Sequence, residues 1–123
     1  MTPPPEAVVD ASVALKWVLN EPESDWARAL PAGVRLLAPA LIWTECANGL
    51  WRIARALPSL DAVHAFGVVS GVPLEVVESS LRTQAEALRL GGRLDHPVYD
   101  CLYLALALER GAALATADKR FLR

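Results

Sequence analysis

The sequence predicts an α/β fold with a central, mainly parallel sheet, and two observations favour it. Short apolar runs, several of them β-branched, alternate along the chain with longer stretches of helical periodicity. Aspartates follow the first and last of these runs, at the positions where parallel strands would end. The length of 123 residues and a hydrophobic content of 54% suit a single globular domain over residues 1–123. Residues 1–6, which are rich in proline, would form an extended lead-in.

Four strands and seven helical segments are predicted in chain order. The strands are apolar runs bounded by turn-forming residues, namely residues 7–9, 34–38, 74–77 and 112–115. Between them, capping residues and apolar spacings of three and four predict helices. These helices are residues 13–19, 24–30, 39–55, 61–68, 80–90 and 96–110, with a terminal turn at 119–122.

Individual residues set the expected boundaries of the helices. Ser12 and Ser24 are expected to cap the first two helices, because a hydroxyl can accept from the free N–H groups of a first turn. Pro39 is expected to open the third helix, where its missing N–H costs nothing. Gly91-Gly92 and Gly111 are expected to end the last two long helices, since glycine adopts the left-handed conformation of a C-terminal cap.

Four acidic residues carry the chemical signal. Asp10 and Asp118 follow the first and last strands, and binding sites in parallel sheets lie beyond the carboxyl ends of strands. Glu45 lies near the start of a helix that would begin at the same edge. Asp100 is the single carboxylate in the largely apolar stretch 96–108, where a charge requires a partner or an ion. We therefore expect these four carboxylates to converge, although each alone is also compatible with a capping role.

Converging carboxylates favour a divalent cation, because like charges oppose one another's ionisation. Mg²⁺ and Mn²⁺ prefer oxygen ligands, and such sites suit phosphodiester chemistry. The net charge of −2 argues against binding a duplex by bulk electrostatics, but not against an enzyme whose site holds cations. No membrane span or secretory signal is recognisable, and Cys46 and Cys101 lack zinc-site spacing. A reduced cytoplasmic location is therefore expected.

The segments that carry the acids resemble the PIN-domain ribonucleases, in particular the toxins of VapBC toxin–antitoxin systems. The matching segments, in the family's order, are Val8–Trp17, Ala38-Pro39 followed by Glu45, Tyr99–Ala105 and Leu114–Asp118. The resemblance implies a PIN-like three-layer α/β/α sandwich. It also implies a magnesium-dependent endoribonuclease that cleaves RNA phosphodiester bonds. Two features depart from the family: Cys101 stands where alanine is common, and many relatives continue with a further short strand after the fourth acid.

The resemblance also assigns roles to individual residues. It implies Mg²⁺, replaceable by Mn²⁺, with Asp10, Asp100 and Asp118 as metal ligands. The implied catalytic set adds Glu45 as support for the attacking water, with the hydroxyls of Ser12 and Thr116 steadying the acids. The implied partners are an RNA substrate, a cognate antitoxin and a second copy of the chain in a homodimer.

Basic and aromatic residues suggest where those partners would bind. Lys16, Lys119 and Arg120 are near the acids in sequence and are candidate contacts for RNA phosphates. Trp17 and Trp26 are expected to form an exposed patch for the antitoxin near the early helices. Trp43, Ala47, Leu50, Trp51 and Ala54 share the predicted buried face of the third helix. His64 and His96 receive no catalytic role.

Other functions remain open at this point. One is a PIN-fold RNA-processing nuclease outside a toxin–antitoxin system, and another is a non-catalytic α/β binding or signalling module. A phosphatase with a nucleophilic Asp10 would carry a second aspartate two residues later, where Ser12 stands. A receiver-type signalling domain would need an aspartate after a middle strand, where the second strand instead ends at Ala38-Pro39. These absences argue against both of those classes.

Overall fold

A computed structural model describes residues 3–117 and confirms the α/β prediction. The strands are β1 (Glu6–Val9), β2 (Arg35–Pro39), β3 (Glu75–Val77) and β4 (Ala113–Ala115). The helices are α1 (Ala11–Leu15), α2 (Ser24–Gly33), α3 (Leu41–Ala56), α4 (Ala62–Ser70), α5 (Leu81–Leu94) and α6 (Val98–Arg110). Within residues 3–117, no helix combines the length and the apolar character needed to cross a bilayer. The helical turn predicted at 119–122 lies outside the described residues.

The four strands form one parallel sheet in the order β3-β2-β1-β4. The chain moves from β1 to β2 to β3 in one direction and then returns to the other side of β1 as β4. Because such crossovers are right-handed, α1–α4 cover one face of the sheet and α5–α6 cover the other. This is the predicted three-layer sandwich. The reversal of direction lies between β1 and β4, and ligands bind at such switch points in open α/β sheets.

The hydrophobic core lies on both faces of this sheet. On one face, α6 contacts β1, β2 and β4, and α5 packs against α6. On the other face, α3 contacts β2, α1 and α4. The main core cluster includes Val8, Leu37, Ile42, Tyr103 and Leu106. A smaller cluster between α5 and α6 contains Ala87, Leu90, Cys101 and Ala105. The starts of α3 and α6 are thereby fixed at the carboxyl edge of the strands.

The caps of the first two helices differ from the prediction. Asp10, not Ser12, caps α1, because its Oδ1 accepts from the Val13 N–H at 3.2 Å. Ser24 is buried in the first turn of α2, where its hydroxyl accepts from the Glu21 N–H at 2.9 Å and donates to the Leu19 carbonyl at 2.6 Å. It therefore orders the preceding loop instead of capping the helix. Helix α1 ends at Leu15, four residues earlier than predicted, and α2 continues to Gly33.

Two further helix boundaries were predicted wrongly. Pro39 is the last residue of β2, and α3 begins at Leu41. Helix α5 continues through Gly91-Gly92 and ends at Leu94, and its C-cap Asp95 adopts the left-handed conformation with φ of 52°. Gly91 is needed for close packing, since a Cβ there would lie 2.9 Å from the His96 carbonyl oxygen. The predicted glycine cap of α6 is confirmed, with Gly111 at φ of 62°.

The tryptophans also lie differently from the prediction. The buried residues of α3 are Ile42, Cys46, Gly49 and Leu50, whereas Ala47 and Trp51 are exposed. Trp51 instead stacks beneath the Arg55 guanidinium, which lies 5.0 Å from the ring centroid. Trp17, expected at the surface, is buried and donates its indole N–H to the Ala27 carbonyl at 2.9 Å. Of the predicted exposed pair, only Trp26 is at the surface.

Candidate functional site

Asp10 lies at the carboxyl end of β1, and three donors hold its carboxylate. The Ser12 hydroxyl donates to Oδ1 at 2.5 Å, and the Val13 N–H donates to the same oxygen. The Thr116 hydroxyl donates to Oδ2. Asp10 is only 8% exposed, and charge-assisted hydrogen bonds of this kind offset the loss of hydration. The carboxylate is therefore fixed in one orientation at the edge of the sheet.

Hydrogen bonds also join the ends of β1 and β4 around Asp10. The Asp10 N–H donates to the Ala115 carbonyl at 3.3 Å, and the Ala117 N–H donates to the Ser12 hydroxyl at 3.0 Å. Ser12 thus contacts both Asp10 and the exit of β4. The two hydroxyls expected to steady the acids, Ser12 and Thr116, both contact Asp10. Their importance for activity stays a prediction.

Asp100 lies in the first turn of α6 at the same edge of the sheet. Helix α6 runs back to the start of β4, so it begins where the parallel strands end. The Nε2 atom of His96 lies 3.3 Å from Asp100 Oδ2, and the His96 side chain is buried. The His96 N–H donates to the Gly91 carbonyl at 3.1 Å, which anchors this residue to α5. Sequence reasoning missed His96, although its position four residues before Asp100 was a usable signal.

Glu45 lies in the second turn of α3 and faces the other two acids. Its Oε1 accepts a hydrogen bond from the hydroxyl of Tyr103 on α6. Burial raises the pKa of Glu45, the Tyr103 hydrogen bond lowers it, and the charges of Asp100 and Asp10 raise it, with a net increase. Asp10 and Asp100 therefore both act electrostatically on Glu45. The contact between Tyr103 and Glu45 was also missed from the sequence.

The described residues support only part of the predicted metal site. Asp118, Lys119 and Arg120 lie outside the described residues. Within residues 3–117, no three side chains of histidine, cysteine, aspartate or glutamate converge closely enough to hold a metal alone. Asp10 and Asp100 offer oxygen ligands, which suit Mg²⁺ or Mn²⁺, and Mg²⁺ is often held by one or two carboxylates with several waters. The donor chemistry fits a hydrated magnesium ion.

Lys16 is not placed as the predicted phosphate contact would require. Its side chain is buried, and its Nζ lies 3.0 Å from Glu23 Oε2 and 3.5 Å from Glu21 Oε1. Burial lowers the pKa of Lys16, but the hydrogen bonds and charges of Glu23 and Glu21 raise it more, so the net pKa is increased. Lys16 therefore keeps its charge and directs it toward two glutamates.

The two cysteines next to the acids are packing residues in this fold. Cys46 and Cys101 are both buried free thiols. Burial, together with the charges of Glu45 and Asp10, raises the pKa of Cys46 to about 12. Burial and the charge of Asp100 raise the pKa of Cys101 as well. Neither residue therefore has the thiolate character of a nucleophile.

Comparisons with known proteins agree with the fold and identify the family of the chain. A family model described as PIN domain matches residues 7–123. The VapC ribonuclease Mb0985 of Mycobacterium bovis and the ribonuclease VapC9 of Mycobacterium tuberculosis are each 35% identical to this chain over 120 residues. Each alignment covers 92% of this chain and 86% of the relative.

Solved structures share the three-layer architecture. PAE2754 from Pyrobaculum aerophilum superposes with a TM-score of 0.74 at 24% identity, covering 96% of this chain and 83% of that one. VapC20 of Mycobacterium tuberculosis, described as a Sarcin-Ricin loop cleaving toxin, gives 0.73 at 16% identity, with 95% and 93% covered. A chain of a toxin–antitoxin complex from Klebsiella pneumoniae gives 0.68 at 16% identity, with 93% and 88% covered. At these identities the likeness establishes the fold alone.

Proposed function

Because the chain belongs to the VapC ribonucleases of the PIN domain family, we propose that it is a magnesium-dependent endoribonuclease and the toxin of a toxin–antitoxin pair. The observation that carries the proposal is the placement of Asp10 at the end of β1 and Asp100 in the first turn of α6, at one edge of the sheet, where both act on Glu45 of α3. Three different elements, β1, α3 and α6, contribute these acids at the switch point of the sheet. Asp118, which follows β4 in the sequence, would complete the set.

Each acid has a distinct role in the proposed reaction. Asp10, held by three donors, and Asp100, held beside His96, would bind Mg²⁺. The cation supplies charge neutralisation for the scissile phosphate and activates water at neutral pH. Glu45 is suited to orient the attacking water and to accept its proton, because its raised pKa makes it a stronger base than an exposed glutamate. A bound cation also explains how a chain of net charge −2 could accept RNA.

A cleavage assay on structured and unstructured RNA tests the nuclease. We expect cleavage with Mg²⁺ or Mn²⁺, none with a chelator, and loss of at least about a hundredfold in rate for Asp10→Asn or Asp100→Asn. Asp25→Asn is the matched control, since Asp25 is fully exposed on α2 and pairs only weakly with Arg28 at 3.8 Å. Cleavage that persists in both variants, or that is independent of a divalent ion, would refute the proposal.

The toxin role is supported by structural neighbours that are described as a toxin and as part of a toxin–antitoxin complex. We propose a cytoplasmic homodimer that a cognate antitoxin inhibits. Expression of the chain alone should arrest bacterial growth, and co-expression of the protein encoded beside it should restore growth and copurify. Unaffected growth at a verified protein level, with cleavage intact in vitro, would instead favour an RNA-processing nuclease outside a toxin–antitoxin system.

A further inference from the structure

Tyr103 is buried in the main core cluster, and its hydroxyl donates a hydrogen bond to Glu45, a predicted catalytic acid. It is only 2% exposed and ranks among the largest fully buried side chains. A buried tyrosine hydroxyl needs a hydrogen-bond partner. Its partner is Glu45 Oε1, which belongs to α3 on the opposite face of the sheet. The contact therefore reaches across the carboxyl edge and joins the two outer layers.

This hydrogen bond restricts the movement of Glu45. A glutamate side chain has several rotatable bonds and loses considerable rotamer freedom when it is fixed. Tyr103 is rigid by comparison, because its ring is held in the main core cluster. Its hydroxyl favours the charged form of Glu45, whereas burial and the charges of Asp100 and Asp10 oppose that form. The bond thus holds the carboxylate in one position.

The position of Tyr103 on α6 links Glu45 to Asp100. The two α6 residues are three positions apart and so lie on neighbouring parts of one helix face. Helix α6 therefore carries a predicted metal ligand and the residue that holds the predicted water-orienting acid. A shift of this helix would move both together.

We propose that Tyr103 is a positioning residue that fixes the Glu45 carboxylate for the reaction. The proposal rests on the proposed nuclease function, since Glu45 acts on the attacking water only in that reaction. Tyr103 itself touches no reacting atom and acts through Glu45. Removal of its hydroxyl should lower kcat by about tenfold to a hundredfold, as expected for a displaced catalytic group, and leave KM nearly unchanged.

The first measurement uses metal-free protein in a chelator. Tyr103→Phe keeps the ring and removes the hydroxyl, and Glu45→Met removes the acceptor at similar length. We expect Tyr103→Phe to lower the melting temperature of the parent chain but not that of the Glu45→Met variant, because the hydroxyl has then lost its partner. Tyr99→Phe is the control, since the other tyrosine of the chain lies on the same helix and is 54% exposed. It should show no dependence on Glu45.

The second measurement compares RNA cleavage by the parent, Tyr103→Phe and Tyr99→Phe with Mg²⁺. Reduced kcat in Tyr103→Phe alone, together with the thermal dependence on Glu45, supports the proposal. If Tyr103→Phe lowers the melting temperature equally in the parent chain and in the Glu45→Met variant, the proposal is overturned. It is also overturned if the melting-temperature effect depends on Glu45 but kcat is unchanged, because the hydrogen bond would then be only structural. A parent chain that cleaves no RNA refutes the proposed function, while the metal-free comparison still decides whether Tyr103 holds Glu45.

Discussion

The Glu45 carboxyl lies at a place where burial and the charges of two aspartates oppose its ionisation. Its raised pKa means that the folded state retains a proton at pH values where the unfolded chain has released it. The stabilising contribution of that proton is present below the ordinary glutamate pKa of about 4.3 and is lost as the pH rises through the folded value. We therefore predict that Glu45→Gln melts several degrees higher than the parent at pH 7 and about equally at pH 4.

Thermal denaturation in a chelator, measured from pH 4 to pH 8, checks this prediction. The gap between the two proteins should widen as the pH rises and narrow again when Mg²⁺ is added, since the cation relieves the repulsion between acids. The same variant should lose RNA cleavage. A parent chain that is more stable than Glu45→Gln at neutral pH would contradict this account.

Lys16 leads to a prediction about substrate binding. Because its ammonium group pairs with Glu21 and Glu23, Lys16→Met should leave KM for RNA within about twofold and lower the melting temperature modestly. Lys119→Met tests the predicted phosphate contact that follows Asp118. It should raise KM, and the increase should shrink as salt is added. A salt-dependent rise of KM in Lys16→Met would show that Lys16 does reach RNA.

The acids could be found from the sequence because they lie at the ends of predicted strands and the starts of predicted helices, which local patterns reveal. Asp10 ends a β-branched run, and Asp100 is conspicuous as a charge among apolar neighbours. The partners of these acids were harder to find. Tyr103 bonds to a residue 58 positions away, and Lys16 pairs with glutamates in a loop whose course the sequence did not predict. Such contacts depend on how elements meet, which local patterns do not encode.

The two adjacent glycines of α5, Gly91 and Gly92, differ in how much space a side chain would have. At Gly91, a Cβ would lie 2.9 Å from a backbone oxygen of the chain that leads into α6, and backbone cannot move aside easily. At Gly92, nothing lies within 4 Å of the same atom. We predict that Gly91→Ala destabilises the protein by about 1–3 kcal/mol, and that Gly92→Ala stabilises it by about 0.5–1 kcal/mol. Urea denaturation of the two variants makes the comparison, and similar midpoints would contradict it.

The same helix explains why element boundaries were less predictable than elements. Gly91-Gly92 has the composition of a helix end, yet packing against His96 carries the helix on to Leu94. Pro39 suits a first helical position, but the register of β2 against β3 keeps it in the sheet. In both cases tertiary contacts outweigh a local preference. Strands β1 and β2 were predictable because buried parallel strands form continuous apolar runs, whereas β3 and β4 are short and partly exposed.

Two separate groups of charged side chains lie at opposite edges of the sheet. The acids occupy the carboxyl edge, whereas an ion-pair network occupies the amino edge, where β1, β2 and β3 begin. Arg35 pairs with Glu6 at 3.2 Å and with Glu75, and Arg110 at the end of α6 also lies 3.2 Å from Glu6. The network connects three strands and one helix at the edge opposite the candidate site.

This separation predicts independent effects on stability and activity. Arg35→Gln should cost about 0.2–1 kcal/mol in unfolding free energy, since the pairs are partly exposed, and the loss should diminish in high salt. Its kcat and KM for RNA should equal those of the parent. Denaturation at two salt concentrations and a cleavage assay provide the test. An activity loss without a stability loss would show that the two edges are coupled.

The adjacency of β1 and β4 sets the order in which the protein can become active during synthesis. β1 is the first of the four strands to be made, and β4 is the last. Thr116, whose hydroxyl donates to Asp10, is made later still, and Asp118 follows it. A nascent chain on the ribosome therefore holds Asp10, Glu45 and Asp100 before the strand and the hydroxyl that contact Asp10 exist. For the proposed ribonuclease, the order of synthesis means that the site cannot form in full before β4 and Thr116 have been made.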